Sequence, residues 1–520
     1  MKRRLTLLLI VLALVGIAVA VAPWTVSTSR LVARIDGQLD AYGLDLDVGG
    51  RTTIAFLPVP RVKFEDFRLK AADGSTLVSG GILRGELRVL PLLVGRLELS
   101  EVSVAFAKID VAIDGSGRSG WDATLAALTA SIARGQPPGR SRLRRVVVQG
   151  SEIAVRDERS GIATQLEEVN LLANQAAPDS AVDLGGNLRW RGELVTLALA
   201  DLNPHALMNG RASPVSARVL GPGLRAMVTG TAQGGPEPRV TGTSSIEVRS
   251  LRDLARWSGA GLPLAPLMEL VSLEGAFEAK REALSWREVR LTLGADTLDG
   301  ALMARFDRGR LSVNGTLAAD RLDLTPFLAP LGAAQLSTGA WSAEEISLDR
   351  HTRADVDLRL SASSARAGAL RLDDLALSLL VKHGRIEASL GRAAVSRGLV
   401  RGRLALVAAG ESIDLRSQLS FERVDLGALK AETRQARWLA GTANGQLSLE
   451  SLGASPADLA RALHGRGSLN VRSGELGGIG LVEALRRVER RPLSASLDWR
   501  NGRTPFDSLG AQVAVANGVA

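Results

Sequence analysis

Cysteine is absent from the 520 residues, which removes disulfide frameworks, thiolate zinc sites and cysteine nucleophiles together. Aromatic residues make up 3% of the chain, with a single tyrosine, Tyr42, whereas a β-sandwich ordinarily fills its core with more rings. Histidine is scarce too. His205, His351, His383 and His464 stand singly, and none has a partner at the spacing of a zinc-binding helix. No G-x-S-x-G elbow, S-x-x-K pair or P-loop occurs, so hydrolase and NTPase chemistry have no foothold. We therefore expect no catalytic residue, metal ligand or cofactor, and no enzyme activity.

What is abundant is aliphatic. The 46% hydrophobic share comes almost wholly from Leu, Val, Ala and Ile, and 520 residues exceed what one core usually organises. Either several domains or one elongated repetitive body is expected. The formal charge of +9 is spread along alternating signs, which fits solvated strand faces better than a nucleic-acid stripe, so no nucleic-acid partner is expected. The basic runs Arg140 to Arg145 and Arg486 to Arg491 are weighed as lipid-head or partner sites, but solvated rims are the plainer account.

Met1-Lys2-Arg3-Arg4 precedes an uncharged apolar run from Leu5 to Ala22, containing Leu5, Leu9, Leu12 and Ile17 and closed by Pro23-Trp24. At 1.5 Å per residue it spans roughly 27 Å, close to a hydrocarbon core of about 30 Å. The basic cluster and interfacial Trp24 place the N-terminus in the cytoplasm and the body beyond the membrane. Cleavage after Ala20 or Ala22 is the competing reading, and the length of the run favours a retained anchor.

After Leu44 the apolar period becomes two. Thr52 to Val59, Val62 to Leu69, Ile82 to Leu90 and Leu97 to Ile113 read as strands, and the texture returns from Arg353 to Phe421 with a turn at Lys382-His383-Gly384-Arg385. Helices are expected at Trp121 to Ala133, Leu251 to Trp257, Ser455 to Leu463 and Leu481 to Val488. Ser455, Pro456, Asp458 and Gly465 supply the start and stop signals of the third. Arg134 to Arg140 and the Gly/Pro-rich Gly221 to Arg239 mark soft boundaries. The expected division is an anchor (1–24), an N-terminal β module (25–135), a central β-rich body (136–440) and an incomplete C-terminal region (441–520).

The alternation has a physical consequence. One face of each strand is Leu, Val or Ala and the other Arg, Asp or Ser, so a long sheet carries a continuous apolar face. Either a second sheet covers it, or the sheet curls into a groove able to hold acyl chains. We expect the second: a mainly β protein with an elongated, antiparallel, curled sheet, a few short helices and one N-terminal transmembrane helix. Val356, Leu358, Leu360, Leu404, Leu406 and Leu415 are the expected lining.

Ordered landmarks resemble one family. Leu463-His464-Gly465-Arg466-Gly467-Ser468-Leu469 followed by Gly474-Glu475-Leu476-Gly477-Gly478-Ile479, then Thr504-Pro505-Phe506-Asp507-Ser508-Leu509 and Asn517-Gly518-Val519, resemble C-terminal signatures of the AsmA family. Leu57-Pro58-Val59-Pro60-Arg61-Val62, Leu90-Pro91-Leu92-Leu93-Val94-Gly95-Arg96-Leu97 and Asn314-Gly315-Thr316-Leu317 are similar to its earlier landmarks. The resemblance implies a bacterial inner-membrane protein with a periplasmic β-body, related to bridge-like envelope proteins and linked to outer-membrane assembly. Its implied partners are phospholipid or another acyl-chain lipid, the inner membrane, and outer-membrane or envelope proteins. It also implies further strands beyond Ala520.

Two motifs have plainer readings. Gly115-Ser116-Gly117-Arg118-Ser119-Gly120 matches G-x-G-x-x-G, but no acidic residue closes a second parallel strand, so a glycine-rich turn is preferred. Asp45 with Asp47 and Asp355 with Asp357 share strand faces, and read as the solvated side of amphipathic strands.

Overall fold

The computed structural model describes residues 35–37, 39–55, 59–93, 98–134, 143–159, 161–177, 179–259, 270–307, 310–333, 340–433, 439–478, 480 and 502–519. The expected anchor, Leu5 to Trp24, and the expected helix Leu481 to Val488 lie outside the described residues. Among those described, no helix is long and apolar enough to cross a membrane. The chain forms two compact units, Met1–Ile246 with Phe277–Arg281, and Glu247–Ala276 with Glu282–Ala520.

The first unit opens with long strands that are each broken at one level. A 3-10 turn (Asp40–Tyr42) leads into β1 (Leu44–Val48) and β2 (Thr52–Ala55), which are separated by Gly49-Gly50. Asp66 separates β3 (Arg61–Glu65) from β4 (Phe67–Ala71), and Gly80-Gly81 separates β5 (Thr76–Ser79) from β6 (Ile82–Leu87). A short helix α1 (Val89–Leu93) follows; then Phe106-Ala107 parts β7 (Leu99–Ala105) from β8 (Lys108–Ile113). After helix α2 (Asp122–Arg134), β9 (Arg145–Asp157) kinks at Gly150.

Backbone bonds run from break to break: Gly49 N–H to Asp66 O, Asp66 N–H to Gly81 O, and Phe106 N–H to Gln149 O, each 2.9 Å. The breaks therefore align as a transverse crease. Asp66 and Phe106 take positive φ, 49° and 57°, a conformation that costs a residue with a Cβ about 1 kcal/mol or more. At Gly81 a Cβ would collide with the Ala105 carbonyl oxygen, so only glycine fits.

The crease lets one sheet bury its own apolar face. Val62, Phe64 and Leu83 on one side of it and Leu44, Leu46, Phe67, Leu77 and Val78 on the other form a single buried cluster, with Ile35 from the preceding helix. Phe67 is 0% and Phe64 1% exposed.

Beyond β9 the unit continues as an antiparallel meander of β10 (Ile162–Gln175), β11 (Val182–Trp190) and β12 (Glu193–Leu202), then helix α3 (Pro204–Met208) and the pair β13 (Ala212–Gly221) and β14 (Leu224–Gln233). The Gly/Pro-rich stretch from Gly221 thus holds a hairpin turn and a strand. The division between units runs through β15 (Arg239–Val248) and β16 (Val271–Lys280), with helix α4 (Leu251–Ser258) between them.

The second unit contains β17 (Ala283–Leu293), β18 (Asp296–Asp307), β19 (Arg310–Asp323), helices α5 (Thr325–Ala333) and α6 (Leu348–His351), then β20 (Asp355–Ala367) and β21 (Leu370–Lys382). It continues with β22 (Arg385–Val395), β23 (Gly398–Ala409), β24 (Ser412–Asp425), helix α7 (Leu426–Thr433), β25 (Leu439–Gly453), helix α8 (Pro456–Arg461), β26 (His464–Gly477) and β27 (Arg503–Val515). From β17 to β27 each strand pairs with the next. Among the described residues β27 pairs only with β26, so this sheet does not close on itself.

The sheets are mixed, where the alternation had led us to expect purely antiparallel pairing. β7 and β8 each pair in parallel with β9, and β19 with β20. The reason lies in the connections. Residues 114–144 and 324–354 are long enough to carry the chain back to the edge it left, which a parallel pair requires.

Helix α8 begins as its sequence signals dictate: Ser455 Oγ accepts from the Asp458 N–H at 3.2 Å, with Pro456 at the first position. Helices α1, α3, α5, α6 and α7 are short and lie outside the sequence-based helices; α1 replaces the end of the strand expected to reach Leu90, α3, α5 and α7 follow strand ends, and α6 precedes β20.

Candidate functional site

The six expected lining residues fall on one face of the second unit. Register places Leu358 opposite Leu379 and Leu360 opposite Leu377, with Val356 opposite Val381. Leu379 faces Ala388, which faces Leu404; Val381 faces Ile386, which faces Leu406, which faces Leu415. Aliphatic rows therefore run across β20 to β23, and the row through Leu406 continues to Leu415 on β24, whereas Ser417 interrupts the row through Leu404. On the parallel side they extend to Val313, Gly315 and Leu317 of β19, and on the other to Leu447 and Leu449 of β25. The sequence-based list missed Leu377, Leu379, Leu390, Leu447 and Leu449, although period-two alternation marks each of them.

All six expected residues are half-buried. A leucine between two packed layers is buried, so the partial exposure of these six means that no second layer closes over them, whereas Val381 (0% exposed) and Leu317 (2%) in the same rows are covered. Its margins differ. At one end Leu426 at the start of α7 packs against Leu439, Ala443 and Val471, the last two 0% exposed. At the other end α8 buries Ala457 and Leu459, and Ser451 Oγ donates to the Leu459 carbonyl at 2.7 Å. Short helices thus cover the strand ends, while Leu358, Leu360, Leu404 and Leu406 between them stay partly exposed.

Glycines on this face allow close backbone approach. A Cβ on Gly300 would overlap the Thr316 carbonyl oxygen, and one on Gly465 the Ser448 carbonyl oxygen. Gly300 lies opposite Leu317, and Gly465 opposite Leu449, so the backbones approach on the aliphatic side. Glycine at such an approach is one way a sheet acquires curvature.

The opposite face is charged. Glu387, with its side chain 13% exposed, receives Arg385 Nη2 at 2.7 Å and Arg403 Nη2 at 2.6 Å. The bond from Arg385, then that from Arg403, holds its carboxyl below the usual glutamate range against the opposing effect of burial. Because the folded-state value is depressed, this stabilisation is complete above the unfolded value near 4.3 and is lost as pH falls through the folded one. Glu387→Gln is expected to lower stability by about 1–2 kcal/mol at pH 7. The difference from the parent should shrink towards zero on acidification to about pH 3, read as the gap between thermal midpoints; a gap independent of pH would refute the assignment.

A model of the AsmA family matches residues 1–231 and 244–520. The chain belongs to the AsmA family. Comparison with curated proteins and with solved structures finds no match to it.

The landmarks of this AsmA-family chain have structural places. Gly465 and Gly467 lie on β26 opposite Leu449 and Leu447 of β25. Leu90-Pro91 sits in α1, and Gly518 N–H bonds to Leu463 O at 3.0 Å, tying the Asn-Gly-Val turn to the loop before β26.

The glycine-rich Gly115 to Gly120 is an Asx-type turn. Asp114 accepts from Ser116 Oγ at 2.6 Å and from the Arg118 and Ser116 N–H groups, which lowers its carboxyl to about 2. That turn leads into α2. Asp355 pairs with Arg310, its Nε at 2.8 Å, and Asp47 with Lys70 at 3.2 Å. Among the described residues no three of His, Asp and Glu stand close enough to hold a metal ion.

Two cavities lie in the second unit. One of about 960 Å³ spans six strands from β22 to β27 and is lined by Leu390, Leu419, Leu447 and Val513 together with Arg403 and Gln418. The other, about 1480 Å³, is lined by alternating charges such as Arg290 with Asp299 and Arg366 with Asp323.

Proposed function

We propose that the aliphatic face of β17 to β27 holds the acyl chains of phospholipid, in a protein anchored in the bacterial inner membrane by Leu5 to Ala22. Its body lies in the periplasm and serves outer-membrane biogenesis. The observation that carries this reading is the aliphatic face itself: Val356, Leu358, Leu360, Leu404, Leu406 and Leu415 stay partly exposed on one side of the sheet, although Val381 and Leu317 in the same rows are covered. Covering a leucine fully is worth about 1.5–3 kcal/mol, so every such side chain left partly in water gains a fraction of that from an apolar occupant.

Lipid fits that occupant better than protein. Protein interfaces draw on Tyr, Trp and Arg anchors, whereas this face is Leu, Val, Ala and Gly. A second reading, a scaffold that modulates outer-membrane protein assembly, draws on the edge of β27, unpaired among the described residues, where an extended segment could add a strand.

The test uses phosphatidylethanolamine carrying a diazirine in an acyl chain, photolysed with the full chain in membranes, and maps the adducts by peptide mass spectrometry. Adducts on β20 to β25 are expected, concentrated at Leu358, Leu379, Leu404 and Leu406. Adducts confined to residues 5–22 would overturn the lipid reading and leave the scaffold reading standing.

A further inference from the structure

Away from its crease, the first unit brings two aliphatic segments together at one end of the β2–β3–β6 ladder. Arg61 opens β3 directly opposite Glu86 of β6, and Leu87 N–H bonds to Pro60 O at 2.7 Å. The end of the β2–β3 connection therefore lies beside α1. Val59 is 40%, Val89 49% and Leu90 78% exposed. Helix α1 reads Val-Leu-Pro-Leu-Leu, so it has no polar side to turn toward water, and an ordinary surface helix always has one.

The charges around this tip are basic residues with matched acids. Arg88 Nη1 meets Glu98 at 3.1 Å, Arg145 meets Glu101 at 3.6 Å, and Arg61 stands across the ladder from Glu86. Among the described residues these three arginines are matched by three glutamates, so this end presents no net negative charge to an anionic surface. An aliphatic tip bordered by arginines is the pattern of an interfacial contact: side chains at the headgroup–acyl boundary and cations at the level of the phosphates.

We infer that this end of the first unit rests on a lipid bilayer, with Val59, Val89 and Leu90 entering the boundary and Arg61 and Arg88 lying at phosphate level. The inference rests on the proposed membrane anchor. Ile35, 5% exposed in the core of the same unit, follows Ala22 by at most about 45 Å of extended chain, which keeps a bilayer within reach of the tip.

Because the chain has no cysteine, one substitution at a time can carry a nitroxide label. The full chain is reconstituted in phosphatidylglycerol and phosphatidylethanolamine vesicles with Leu90→Cys, Asp73→Cys or Leu12→Cys. Accessibility to oxygen and to a water-soluble nickel chelate is then measured by electron paramagnetic resonance. Expected is a several-fold higher oxygen-to-nickel ratio at Leu90 than at Asp73, an exposed turn of the same unit, with Leu12 higher still.

A water-like label at Leu90 with a lipid-like one at Leu12 overturns the bilayer contact and leaves the anchor. Water-like labels at both overturn anchor and contact together. A label at Leu90 that is immobilised yet poor in oxygen indicates a protein partner and also overturns the contact. A lipid-like Leu90 label that turns water-like when Val59 and Val89 are both changed to Asp supports it.

Discussion

Glutamate at Leu358, Leu406 and Leu415 together is expected to lower acyl-chain cross-linking of the second unit more than tenfold while the β-sheet remains folded. The three positions lie in adjacent rows of the aliphatic face, on β20, β23 and β24. Each is half-buried, so a carboxylate there keeps part of its water in the empty protein, and the cost to folding stays near 1–2 kcal/mol per site. An acyl chain laid over it removes that water, and burying an unpaired carboxylate costs several kcal/mol.

The matched control puts glutamate at Ser378, Ser389 and Gln418, which share the polar face of neighbouring strands. It should leave cross-linking unchanged. Circular dichroism separates loss of lipid from loss of sheet. Equal cross-linking in the aliphatic-face variant and the parent would remove the face as the lipid site and turn attention to the edge of β27.

The second large effect belongs to stability. Phe67→Ala in the first unit is expected to cost about 3–5 kcal/mol, since it empties a fully enclosed site between Phe64, Leu46 and Val78. Leu360→Ala in the second unit should cost less, about 1–2 kcal/mol, because that side chain is partly exposed and not enclosed. Hydrogen exchange resolved on β3 to β6 and on β20 to β21 reads the two losses separately. A loss at Leu360 as large as that at Phe67 would mean that the aliphatic face is covered, and the lipid proposal would lose its physical basis.

The contrast between these substitutions also shows what could be read from the sequence. Val62-Lys63-Phe64 and Val356-Asp357-Leu358 carry the same alternation, and both are strands. One ends in a closed core and the other on an open face. Nothing in either segment distinguishes the outcomes, because covering depends on whether distant strands fold back over the face. In the first unit they do so because the breaks at Gly49-Gly50, Asp66, Gly80-Gly81 and Phe106 align across the ladder. The sequence from Val62 to Leu69 reads as one uninterrupted strand, and so does Leu97 to Ile113. Asp66 and Phe106 carry no local turn signal of the Gly or Pro kind, and their positive φ is imposed by the neighbouring strands.

The candidate face was more legible than the fold. Val356, Leu358, Leu360, Leu404, Leu406 and Leu415 were chosen from alternation alone, and register assembles them on one side because a period of two survives any even shift of pairing. The parallel pairing of β19 with β20 was not legible. It depends on where residues 324–354 re-enter the sheet, and on Arg310, which reaches Asp355 and the Thr352 carbonyl across that entry.

The sequence by itself determined the elements and their two-sidedness: strands from alternation, α8 from its Ser-Pro-x-Asp start, and an aliphatic face poor in rings from composition. Those properties are local, set by neighbours within a few residues. Only the tertiary structure decided which apolar face is enclosed and which stays open. That choice rests on the alignment of kinks and on close backbone approaches at glycines such as Gly81, Gly300 and Gly465, made by residues far apart in the chain.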